Sequence, residues 1–90
     1  MDIEKETKKW IKELRTKLGK VSVNDEKGEE MVDNIKAYIS DSEYFIKKGD
    51  LIRGFECAVW ATAIFDTCKK LEVFKIKRKL NFLFISSFLE

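Results

Sequence analysis

The sequence predicts an all-α protein, an up-and-down three-helix bundle followed by a C-terminal extension. Three observations carry that expectation. The 90-residue chain contains no proline, and its composition is rich in strong helix formers. Apolar residues recur at three- and four-residue steps through most of the stretch that ends at Leu71. Gly19 and Gly49 interrupt that pattern where a helix would stop. A chain of this length forms one domain and holds a single core without staples. The bundle is expected over residues 1–71 and the extension over 72–90.

The first helix is expected over residues 2–18. Ile3, Thr7, Trp10, Ile11, Leu14 and Leu18 form one apolar stripe, and Glu4–Lys8 and Glu13–Lys17 stand in the favourable acid-first order four apart. Gly19 ends it, and Val21 and Val23 in the following link would close the end of the bundle. The second helix is expected over 25–48. Asp25, Glu26, Glu29 and Glu30 suit the positive end of a helix dipole, and Lys47 and Lys48 suit the negative end. Its stripe runs through Met31, Val32, Ile35, Tyr38, Ile39, Ser42, Phe45 and Ile46. Gly49 and Asp50 leave almost no loop, so the next helix must fold back as a tight hairpin.

The third helix, over 50–71, organises the chain. Asp50 is a good N-cap. Arg53, Glu56, Trp60 and Thr67 fall on one arc, with Arg53 and Glu56 spaced to pair. Leu51, Ile52, Phe55, Ala58, Val59, Ala61, Ala63, Ile64 and Phe65 fill nearly all the rest. A helix so apolar is expected to be wrapped by its neighbours. Burying Phe55 is worth roughly 1.5–3 kcal/mol, against about 0.2–0.5 kcal/mol for the Arg53–Glu56 pair. Packing decides its place. Asp66 falls on the apolar side between Phe55 and Val59, so it is expected to be buried and paired, because an unpaired buried charge is costly.

The extension alternates Phe74 and Ile76 with Lys75 and Lys77, continues through Arg78 and Lys79, and turns apolar from Leu80. A continued third helix, a short fourth helix and a strand all fit. Helix is favoured because a lone strand has no partner.

Charge is uneven along the chain. The net charge is +3 over residues 1–20, −4 over 21–50 and +3 over 51–90. Complementary helix surfaces within the bundle are the simplest account of that pattern. The overall +2 does not by itself imply a polyanionic partner. Asp25, Glu29 and Asp33 share a helix face, but carboxylate metal sites draw ligands from several segments. No cofactor or metal is expected. Histidine is absent, which removes the usual general base, the Ser–His and Cys–His pairs and nearly all zinc catalysis. Cys57 and Cys68 would lie about 16 Å apart along one helix, beyond disulfide reach. Two such cysteines suit a reducing cytoplasm. The charged N-terminus does not read as a secretory leader, and no apolar run reaches the roughly 20 residues of a membrane span.

The run from Asp41 to Glu56, with Tyr44-Phe45, Gly49-Asp50-Leu51, Arg53 and Phe55-Glu56, followed by Trp60 and Asp66, resembles a family of short archaeal proteins, domain of unknown function 357. The resemblance implies a three-helix up-and-down bundle and carries no activity, cofactor or catalytic residue. Gly54, where alanine is expected, and the apolar tail depart from the pattern.

The expected function is a non-enzymatic interaction module that binds a protein or a second copy of itself through the tail or the Trp60 face. Asp50, Asp66, Phe55 and Trp60 are the expected structural residues. Nucleic-acid binding is the alternative, through Lys69, Lys70, Lys75, Lys77, Arg78 and Lys79. A membrane-surface role would use those cations with Phe82, Phe84 and Phe88.

Overall fold

The computed structural model describes residues 1–76. It is an all-α three-helix bundle of α1 (Ile3–Leu18), α2 (Glu26–Lys47) and α3 (Leu51–Lys70), with two short strands, β1 (Val21–Ser22) and β2 (Lys75–Ile76). The expectations for Lys77, Arg78, Lys79, Phe82, Phe84 and Phe88, and for a fourth helix there, lie outside the described residues.

Each helix begins on an aspartate. The side chains of Asp2, Asp25 and Asp50 accept the backbone N–H of Lys5, Gly28 and Arg53, each three residues on. These bonds satisfy donors that the first turn leaves free. Gly49, at φ +82°, ends α2 and sends the chain straight into α3. The Asp50 N–H donates to the Phe45 carbonyl, and the Gly49 N–H to that of Ile46. That pair of bonds is the left-handed helix stop that glycine adopts without steric cost.

α3 lies between the other two helices, which touch each other sparsely. Its buried stripe is Gly54, Ala58, Ala61, Phe65 and Cys68. Small residues let α2 come close. A Cβ at Gly54 would stand 2.7 Å from Ile46 Cδ1 and 3.2 Å from the Ser42 carbonyl oxygen. At the same crossing Ser42 Oγ donates to the Gly54 carbonyl at 2.6 Å. The departure from alanine at position 54 therefore has a steric reason. The core joins Ile11 and Leu14 of α1, Ile35 and Ile39 of α2, and the α3 stripe.

The structure corrects the reading of residues 72–76. They form no helix. Glu72 turns the chain at φ +57°, and β2 pairs antiparallel with β1, Val21 opposite Ile76 and Ser22 opposite Lys75. The missing partner strand was the link after α1. Phe74 is only 3 % exposed and packs against Phe65 with ring centroids 5.4 Å apart. Val73 and Ile76 also pack on the core, so the folded unit continues past Leu71.

A second correction concerns α3. It is enclosed on one side only, because two helices cannot surround a third. Phe55 and Ile64 are half-buried, while Val59 and Ala63 are exposed. Ile52 and Trp60 are 66 % and 60 % exposed.

Candidate functional site

The residues singled out at α3 separate into two groups. Asp50 caps the helix, and its second carboxylate oxygen lies 3.5 Å from Arg53 Nε. Arg53 therefore pairs with Asp50, where the sequence suggested Glu56. Phe55 is half-buried against Trp10 of α1, ring centroids 5.7 Å apart. Asp66 is exposed, contrary to the expectation of a buried, paired carboxylate. Of its two neighbours on that side, Phe55 is partly covered by α1 while Val59 is exposed like Asp66 itself. Trp60 shares that outer arc with Ile52, Val59 and Ala63. Asp66 stands at one edge of the arc, while Glu56, Thr67 and Lys70 are interspersed among its apolar residues.

The cations proposed for nucleic acid are only partly placed. Lys69, Lys70 and Lys75 are exposed near the end of α3. The two cysteines are free, Cys57 half-buried and Cys68 buried. Burial raises both thiols above their ordinary pKa, and Asp41 and Glu56 push Cys57 further up. Neither therefore has the depressed pKa of an activated thiolate. Among the described residues no group of three or more metal-ligating side chains comes together.

Sequence reasoning missed the space between α1 and α2. Between the two helices lies a groove of about 920 Å³, lined among others by Ile11 and Arg15 of α1 and Ser42 and Tyr44 of α2. One side-chain bridge spans it. The Arg15 guanidinium donates through both terminal nitrogens to the Glu43 carboxylate, with Nη2 2.7 Å from Oε1. The bridge raises the Arg15 pKa and lowers that of Glu43. The opposite charges of the first two helices were the signal for this contact. The same signal suggested more extensive complementarity, whereas the other ion pairs among the described residues, Lys8–Glu4 and Arg53–Asp50, are local.

The description "protein of unknown function (DUF357)" belongs to the family model that matches residues 5–74. The chain belongs to this family. A crystal structure of a DUF357 protein from Archaeoglobus fulgidus is similar at 36 % identity and a TM-score of 0.75, over 84 % of this chain and 95 % of that one. No curated protein matches. The family match extends to Phe74, whose side chain is buried in the core of this chain.

Proposed function

We propose that this DUF357 protein is a non-enzymatic interaction module of the cytoplasm that self-associates through the outer face of α3. The observation that carries this reading is the exposure of Ile52, Val59, Trp60 and Ala63 on one arc of a helix whose opposite side is packed. Exposed apolar patches mark association sites, and tryptophan is enriched at their energetic centres. The absence of histidine and the raised thiol pKa values support a role without catalysis. No helix among the described residues is long and apolar enough to cross a membrane.

Light scattering coupled to size exclusion tests the reading. The protein should elute as a dimer or larger species at about 100 μM, within the range of a modest interface. Trp60→Glu should return it to a monomer without loss of helicity. A monomeric parent protein, or an assembly that Trp60→Glu leaves intact, would overturn it. Comparison with a chain ending at Ile76, which retains Phe74, separates the contribution of the tail.

A further inference from the structure

The groove between α1 and α2 has a chemistry distinct from the α3 face. Its volume of about 920 Å³ lies within the range of ligand sites. Lys8, Lys12, Arg15 and Lys47 line it against only two carboxylates, Glu4 and Glu43. Lys8 is held by Glu4 at 2.8 Å and Arg15 by Glu43. Lys12 and Lys47 make no ion pair among the described residues, so the lining carries a surplus of positive charge. Tyr44 also lines the groove and is 56 % exposed. Phe45 meets its ring edge-on at 5.5 Å, and Lys48 Nζ lies 5.6 Å from the ring centroid.

Cations along a groove beside an exposed aromatic ring match the needs of a phosphodiester chain, whose phosphates take the cations and whose bases stack. Arg15 adds a planar fork that suits phosphate as well as carboxylate. We propose that this groove binds a short single-stranded nucleic acid, with phosphates on Lys12, Arg15 and Lys47 and a base on Tyr44. The site is independent of the α3 face and lies apart from the lysines at the end of α3. Glu43 is then a competitor, since the ligand must displace it from Arg15.

That competition gives the test opposite signs. Fluorescence anisotropy with labelled oligo-dT of about ten nucleotides, a length suited to such grooves, should show saturable binding to the full chain. Three phosphate contacts give an affinity loss of about 15- to 20-fold between 50 and 200 mM salt. Arg15→Gln and Lys12→Gln should each weaken binding at least about fivefold, and Glu43→Gln should strengthen it severalfold. Arg15→Gln and Glu43→Gln break the same bridge, so they should lower the melting temperature alike while moving affinity in opposite directions. Tyr44→Leu should weaken oligonucleotide binding and leave inorganic polyphosphate binding unchanged. Absence of binding at 50 mM salt would overturn the proposal. So would Arg15→Gln and Glu43→Gln shifting affinity the same way, or a Tyr44→Leu loss that is equal for polyphosphate, which would reduce the site to a general anion surface.

Discussion

The α2 and α3 helices finish in the same hydrogen-bonded turn, built on different residues. At the end of α2 the left-handed position is Gly49, at φ +82°. At the end of α3 it is Glu72, at φ +57°. Both turns carry the same pair of bonds. Glu72 donates to the Lys69 carbonyl and Val73 to that of Cys68, as Gly49 and Asp50 do to Ile46 and Phe45. A side chain in this conformation costs about 1–2 kcal/mol. The first turn is therefore stable through its own residue, while the second is held by the packing of residues 73–76. Phe74 reaches Phe65, β2 reaches β1, and the Val73 carbonyl passes over α2 where Gly28 leaves room. Local chemistry writes one turn, and tertiary contacts impose the other.

Removing the contacts beyond Glu72 should have the largest effect. Phe74→Ala is expected to cost about 3–5 kcal/mol by loss of a buried aromatic side chain, measured by urea denaturation. A cost below about 1 kcal/mol would show that the second turn sustains itself. Gly28→Val comes next. A Cβ there would meet Val23 Cγ1 at 3.0 Å and the Val73 carbonyl oxygen at 3.1 Å. Overpacking of this kind costs about 1–3 kcal/mol, and amide exchange at Ile76 should accelerate before that of the helices.

The two left-handed residues should respond with opposite signs. Gly49→Ala is expected to lose about 1–2 kcal/mol of stability, because the new side chain takes the strain that Glu72 now bears. Glu72→Gly is expected to gain about 0.5–1 kcal/mol, the relief of strain being partly offset by the freer unfolded chain. Thermal melts of both variants check this directly. Equal signs would mean that the turns differ in more than their left-handed residue.

The smallest effect belongs to the Arg15–Glu43 bridge. Its folded-state lowering of the Glu43 pKa stabilises the protein above the unfolded-state pKa of about 4.3. That contribution fades as pH falls through the lower folded value. Both side chains are about half exposed, so the gain stays below about 1 kcal/mol. Arg15→Gln should remove this part of the acid dependence and leave both turns unchanged.

The features legible in the sequence divide along the same line. The Asp50 cap, the Gly49 hairpin and the α2 stripe depend on local spacing, and each lies where spacing put it, as does the α1 stripe from Thr7 on, while Ile3 is exposed. The alternation at residues 74–77 permitted the strand at Lys75–Ile76, but its partner was hidden because it is far away in the chain and only two residues long. Asp66 was misplaced for a related reason. A wheel shows which side of a helix is apolar, but it cannot show which part of an almost wholly apolar circumference meets neighbours. The groove between α1 and α2 was hidden too, since it depends on how two helices are placed around a third. Tyr44, opposite Ile35 on the α2 wheel, was its one local trace.

The β1–β2 pairing fastens the segment after α1 to the segment after α3. Contacts between distant parts of a chain form after local ones, because a large loop must first be closed. The α2–α3 hairpin should therefore assemble early, and α1 should dock with the closing of this clasp. In the folded protein the reverse event should be the release of α1 as one cooperative unit, uncovering the Phe65 side of the hairpin. Hydrogen exchange should then show the α1 amides opening together, at a free energy below that of the α2–α3 pair.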